Sequence, residues 1–299
     1  MRAPVPRSVQ LVARTLPQRE ERILFEPSER RGAILHLIGA ARERLILSLF
    51  RCTDCWVLGA LAAAVRRGVR VDALLTARAR GWRKKLEGLG VLLESMGVHV
   101  QAYRRAEVKY HAKYIVADDA LALVSSLNFT RKCFHDTCDF ILTTSDAGVV
   151  AGLQALFEAD CHGSAAPFSE GISGRLIVGP ERGRAGVERL LMQARRRIRI
   201  VDHRISDPRI VALLESRRAA GIAVETLERH DVGDLVSHGK LILIDDASAL
   251  IGSMALSTAS LDSRRELAIV IRDPHCVRSL SGVYCGLADA ESPGRRIAS

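Results

Sequence analysis

His111 and Lys113 stand two residues apart in the run His111-Ala-Lys113-Tyr-Ile-Val-Ala-Asp118, and His238-Gly-Lys240-Leu-Ile-Leu-Ile-Asp245 repeats the arrangement. Ser126 and Ser253 follow their histidines by 15 residues, and a carboxylate, Asp139 or Glu266, follows by 28. Each member of the first set is therefore 127 residues from its counterpart in the second. Composition alone gives one such pattern in roughly 10⁻⁴ of chains, so two in register mark a duplicated site. Residues i and i+2 of a strand share a face, so each His projects beside its Lys. A neutral imidazole can attack phosphorus, and a neighbouring ammonium stabilises charge on the non-bridging oxygens. Ser126, Asn128 and Ser253 are placed to donate hydrogen bonds to the same oxygens. A carboxylate that accepts the proton on the other ring nitrogen fixes the tautomer. Read within each half, this assigns Asp139 to His111 and Glu266 to His238. Two copies face to face supply one histidine to attack and one to protonate the leaving group.

The elements around these residues repeat as well. Arg22-Ile-Leu-Phe-Glu-Pro27 resembles Arg175-Leu-Ile-Val-Gly-Pro180. Helical patterns follow over Gly32–Arg44 and Arg184–Arg197, then apolar strands at Leu45–Phe50 and Ile198–Val201. Second helices, Leu58–Arg67 and Ile210–Ala220, are each closed by a glycine, Gly68 and Gly221, suited to the left-handed residue beyond a helix end. Strands return at Val69–Leu75 and Ile222–Leu227. This alternation predicts a layered α/β sheet in each half. The first half has 26 extra residues around Ala79–Arg105, read as a helix (Trp82–Met96) and a strand (Val98–Tyr103). The expected organisation is a basic flexible tail over 1–20, a first half over 21–162, a linker over 163–174 and a shorter second half over 175–299.

The duplicated His-x-Lys-x4-Asp motif, each copy followed by a Gly-Ser-x-Asn-like tail, resembles the phospholipase D superfamily over nearly the whole chain, from about Ile23 to Ile271. The resemblance implies a pseudo-twofold α/β fold, two mixed sheets flanked by helices with one active site at the seam. It also implies a covalent phosphohistidine and neither metal nor cofactor. It favours His111 as nucleophile and gives Asp118 and Asp245 a structural role, which agrees with their reading as turn residues at strand ends. Two positions depart from the pattern: Ser125 stands where the family has Gly, and Ala255 where it has Asn. The loss of one phosphate-binding amide is worth roughly 1.5–3 kcal/mol if felt only in the transition state.

Composition narrows the partners. An apolar content of 48% excludes a disordered chain. The longest charge-free stretch, Ala247–Leu261, falls short of the about 20 residues of a membrane span. The net charge of +10 suits phospholipid headgroups or nucleic acid. Aromatic residues at 4% are few for stacking bases, and no segment resembles a DNA-reading helix. The favoured reading is therefore a monomeric, cytoplasmic enzyme, peripheral to the membrane at most, that hydrolyses or transfers the phosphatidyl group of phospholipids. The alternatives are a metal-independent endonuclease of the same superfamily and a catalytically weakened phosphate-binding paralogue. Seven cysteines form no disulfide or zinc framework, and Cys52-Thr-Asp-Cys55, though spaced like a redox pair, reads as two incidental thiols. His203 is a candidate for the cleft wall, whereas Arg195–Arg197 and Trp82-Arg83-Lys84-Lys85 read as solvated helix surface.

Overall fold

The fold is that of a computed structural model describing residues 21–76, 83–105, 107–164, 173–228, 231–232 and 235–290. The expected basic tail, and residues 165–172 of the expected linker, lie outside the described residues. The first half begins with β1 (Glu21–Leu24), α1 (Pro27–Ala40), β2 (Arg44–Leu49), α2 (Cys55–Arg66) and β3 (Arg70–Leu75). It continues with α3 (Arg83–Ser95), β4 (His99–Ala102), β5 (Lys109–Tyr110), β6 (Tyr114–Ala117) and β7 (Leu121–Ser125). It ends with α4 (Arg131–His135), β8 (Thr137–Cys138), β9 (Ile141–Thr144) and α5 (Ala147–His162). The second half opens with β10 (Leu176–Val178), α6 (Gly183–Met192), β11 (Arg197–Val201), α7 (Pro208–Ala219) and β12 (Ala223–Leu227). There follow β13 (Asp231–Val232), β14 (Leu235–Ser237), β15 (Lys240–Ile244) and β16 (Ser248–Gly252). The last elements are α8 (Thr258–Asp262), β17 (Arg264–Arg265), β18 (Leu267–Ile271) and α9 (Pro274–Ala290).

Each half is built on one mixed sheet. The first has the order β1-β9-β7-β6-β2-β3-β4 and the second β10-β18-β16-β15-β11-β12. The two orders superpose strand for strand except for β4, which the extra segment adds at one edge. The inner strands are buried on both faces and are nearly continuous apolar runs, whereas the edge strands β1, β4 and β12 are partly exposed. Period two sorts the side chains. Tyr114 and Val116 face a central core shared with Leu241 and Leu243 of the other sheet, while Ile115 and Ala117 face the outer helices α1 and α2. Ile242 and Ile244 likewise face α6 and α7. The shared core also takes in Leu153 and Phe157 of α5 and Leu280 and Tyr284 of α9. Burial of these apolar faces, at about 25 cal/mol per Å², is what joins the halves.

Two expected helices stop early, for one reason. The patterns reaching Arg44 and Arg197 end as helix at Ala40 and Met192. The amides of Arg42, Glu43 and Arg44 donate to the Asp118 carboxylate, and those of Arg195, Arg196 and Arg197 to Asp245. Both aspartates sit at positive φ, 52° and 55°, in the turns that end β6 and β15. Burial would raise their pKa values, but the three backbone donors outweigh it and hold both carboxyls below the ordinary range. The last aspartate of each motif is thus a clasp between a β-hairpin and the turn after a helix, as its structural reading implied. Gly68 and Gly221 close α2 and α7 at φ 86° and 81°. Asp54 and Asp207 cap the same helices, each accepting from two amides of the first turn.

Candidate active site

The halves meet through two short parallel pairings that the 127-residue offset maps onto one another. Lys109 and Tyr110 of β5 pair with Arg264 and Arg265 of β17. Val236 and Ser237 of β14 pair with Thr137 and Cys138 of β8. The amide of His111 then donates to the carbonyl of Arg265, and that of Gly239 to the carbonyl of Cys138. In each pairing the strand before a histidine lies beside the strand before the other half's carboxylate. Gly239 is needed there, because a Cβ would lie 2.7 Å from the Cys138 carbonyl oxygen.

This crossing corrects the assignment made within each half. His111 Nδ1 is 2.9 Å from Glu266 Oε2, and His238 Nδ1 is 2.8 Å from Asp139 Oδ1. The spacing of 28 residues is real, but the short pairings turn each carboxylate toward the opposite histidine. Both carboxylates are buried, whereas the histidine side chains keep 21% and 31% of their exposure. Each Nδ1–H therefore points into protein and each Nε2 is left for chemistry. Burial would raise the pKa of Glu266 and Asp139, but the facing histidine and the hydroxyls around each hold both carboxyls down, as anions.

The lysines complete the centre asymmetrically. Lys113 Nζ donates to the His111 carbonyl at 2.7 Å, and Lys240 Nζ donates to that of His238. Lys240 also has Asp202 Oδ1 at 3.9 Å. The strand register places Leu49 where Asp202 stands in the other half, so Lys113 has no such neighbour there. Its ammonium instead lies 5.2 Å from the Phe50 ring, which packs edge-on to His111 at 4.6 Å. Burial pulls the Lys113 pKa down to about 8, against the attraction of Glu266 and Asp139. Burial also pulls His111 down to about 4, opposed by Glu266 and assisted by the charges of Lys113 and His238. His111 is consequently a neutral imidazole at pH 7.

The serines sit elsewhere than expected. Ser126 Oγ donates its one proton to Asp139 Oδ1 at 2.6 Å and accepts from the Phe140 amide at 2.9 Å. Ser253 Oγ accepts from the Leu267 amide at 3.1 Å and lies 3.3 Å from the Leu267 carbonyl. Both hydroxyls are engaged with the carboxylate-bearing segments rather than offered to a phosphate. Asn128 differs: it is buried, and its Oδ1, which can only accept, has no partner among the described residues. At the equivalent position, the Ala255 amide donates to Ser260 Oγ, which in turn donates to Glu266 Oε1 at 3.1 Å. Gly252 has φ 148° and a Cβ there would meet the Leu267 carbonyl at 2.2 Å, whereas Ser125 fits in the first half and accepts from the Leu127 amide.

Sequence reasoning missed two buried arginines. Arg30 of α1 donates to the carbonyls of Phe25, Cys133, Thr137 and Asp139, fastening the segment that carries Asp139. Arg265 pairs with Asp160 at 3.0 Å and Glu181 at 2.7 Å, linking α5 of one half to the start of the other beside Glu266. Arg30 stands between Glu29 and Arg31, and Arg265 between Arg264 and Glu266, so nothing in the sequence marks either as buried. His203 is half-exposed and pairs with Asp202. Cys52 is buried, which pushes its thiol up to about 12, so the redox-pair geometry gains no support. Arg83, Lys84 and Lys85 are exposed on α3, and Trp82 lies outside the described residues.

Comparison with known proteins gives the family and the fold. Residues 34–161 and 183–283 match the family described as "Cardiolipin synthase, PLD-like domain". The chain belongs to the phospholipase D superfamily. Cardiolipin synthase A of Pseudomonas aeruginosa strain LESB58 is 30% identical over 127 residues, 42% of this chain. The match spans only about a quarter of that relative, 26% of its length. Among solved structures, a phosphatidylserine synthase from Haemophilus influenzae Rd KW20 shares the fold with a TM-score of 0.68 at 13% identity, covering 91% of this chain and 86% of that one. A polyphosphate kinase from Porphyromonas gingivalis shares it with a TM-score of 0.71 at 16% identity, over 90% of this chain and 50% of that one. The matched family region leaves out residues 162–182 between the two halves of this phospholipase D-like chain.

Proposed function

We propose that the protein is a phosphodiesterase of the phospholipase D type that hydrolyses or transfers the phosphatidyl group of phospholipids. The observation that carries this is the crossed pair of histidine–carboxylate contacts at one seam, each with its lysine. His111, neutral and held by Glu266, attacks phosphorus through Nε2. The bond to the leaving oxygen breaks, and that oxygen takes a proton from His238. The phosphohistidine is then attacked by water or an alcohol whose proton returns to His238, and His111 leaves. Lys113, Lys240 and the Asn128 amide carry the charge that develops on the non-bridging oxygens. Asp139 keeps the His238 ring in register through both transfers.

The two lysines occupy the role that a divalent ion plays in metal-dependent phosphodiesterases, so the reaction needs no metal. The family match and the scarcity of aromatic residues favour a phospholipid over a nucleic acid. Among the described residues no helix is long and apolar enough to cross a membrane, and the net charge of +10 suits contact with an anionic surface. The same charge supports the nuclease as second reading. The test is the purified protein in EDTA on phosphatidylglycerol and phosphatidylcholine vesicles, beside DNA at low salt. Headgroup release that His111→Ala reduces by at least about 10³ supports the lipid enzyme. Cleavage of DNA alone decides for the nuclease.

A further inference from the structure

Cys133 breaks the pseudo-symmetry of the site. Its counterpart at an offset of 127 is Ser260, and both occupy the third position of a short helix whose Ncap, Thr130 or Ser257, accepts from their amide. In the second half the Ser260 hydroxyl bridges the Ala255 amide and Glu266. In the first half Asp139 takes that support from Thr137 Oγ1, 2.5 Å from Oδ2, where the second half has Arg264. The Cys133 thiol is therefore not needed to hold the carboxylate, yet it remains beside the Asp139–His238 pair. One donor atom each of Cys133, Asp139 and His238 lie within 4.8 Å of one another.

We propose that Cys133, Asp139 and His238 form an inhibitory site for a borderline-soft divalent cation of the zinc type. Thiolate, imidazole and carboxylate are the donors zinc selects, with a fourth position left to water. A tetrahedral zinc with bonds near 2.0–2.3 Å sets its donors about 3.3–3.8 Å apart. No edge of this trio need close by more than about 1 Å, and the Nδ1–Oδ1 edge must open from 2.8 Å. Both changes ask the side chains of the trio to rotate, and His238, 31% exposed, is the member that solvent reaches. On binding, the thiol proton leaves to solvent, and the proton on His238 Nδ1 is replaced by the metal while Nε2 takes one up. Asp139 Oδ1 exchanges the imidazole hydrogen bond for the cation.

With Nδ1 metallated and Nε2 protonated, the ring has no lone pair to accept a proton from the attacking water or alcohol. The effect on turnover rests on the reading of His238 as acid and base; the binding does not. The equivalent trio in the other half, Ser260, Glu266 and His111, offers a hydroxyl in place of the thiol and so forms no such site.

The test uses cobalt(II) as an optical probe and zinc as competitor on the full chain. The expected result is a thiolate-to-cobalt absorption band that saturates at one equivalent and is displaced by zinc. Cys133→Ser, which installs the residue found at the equivalent position, removes the band. It should weaken binding by at least the roughly 10–100-fold that loss of an outer partner costs. Cys276→Ser, at another buried thiol, leaves the band unchanged. Zinc then inhibits headgroup release by the wild type and much less by Cys133→Ser. A wild-type protein with no thiolate band, or a Cys133→Ser variant that keeps it, overturns the site. A band that forms as described while zinc leaves turnover untouched keeps the site but overturns its inhibitory role and the assignment of His238.

Discussion

Lowering the pH from 7 to 5 separates two descriptions of His111. An ordinary histidine, with a pKa near 6.5, would be only about 3% neutral at pH 5. Burial, with Lys113 and His238 adding to it, holds His111 down to about 4 despite Glu266, and about 90% of the nucleophile stays neutral at pH 5. The difference is about 30-fold in competent enzyme. The assay is kcat/KM for headgroup release across pH 4–8, alongside ring-proton titration by NMR. The expected profile falls less than about threefold between pH 7 and 5 and reaches half its plateau only near pH 4. Stability follows the same group. The unfolded chain takes up this proton below about 6.5 and the folded chain only near 4, so stability is full above 6.5 and is lost as pH falls between those values. The size of that loss is about 3 kcal/mol. An acid limb at pH 6.5 that coincides with the NMR titration of His111 would refute the reasoning.

Three further outcomes follow from the same geometry. Glu266→Gln should displace the ring resonances of His111 and leave those of His238 near their wild-type positions, with Asp139→Asn doing the converse; the opposite pattern would restore the pairing within halves. Arg30→Met should lower stability by about 2–4 kcal/mol, read as a fall in Tm, because four carbonyls lose a charged donor. An unchanged Tm would show that the Asp139 segment holds itself. Asn128→Ala should lower kcat about 10- to 100-fold with little change in KM, and a change in KM alone would make the amide a ground-state contact.

Much of the architecture is legible in the sequence because duplication makes each half a check on the other. Strands β2, β3, β11 and β12 and the insertion α3–β4 fall within a few residues of the patterns that predict them. Helix ends are less legible where a remote side chain intervenes: nothing near Arg44 or Arg197 announces that Asp118 or Asp245 will take their amides. The crossing of the carboxylates is invisible for a different reason. The spacing of 28 is the same whether each half serves itself or its partner, and only the β5–β17 and β8–β14 pairings decide. Arg30 and Arg265 look like two of 38 surface arginines until burial singles them out.

The central claim, that His111 is the nucleophile and His238 the acid and base, is tested most directly by trapping the intermediate. A p-nitrophenyl phosphodiester needs little help from an acid, so His238→Ala should still form the adduct and then stall without a base to deprotonate water. The account predicts a burst of about one nitrophenolate per enzyme, with the phosphoryl group found on His111 by mass spectrometry after quenching in alkali. His111→Ala should give neither burst nor adduct. A burst from His111→Ala with the phosphoryl group on His238 would contradict the account.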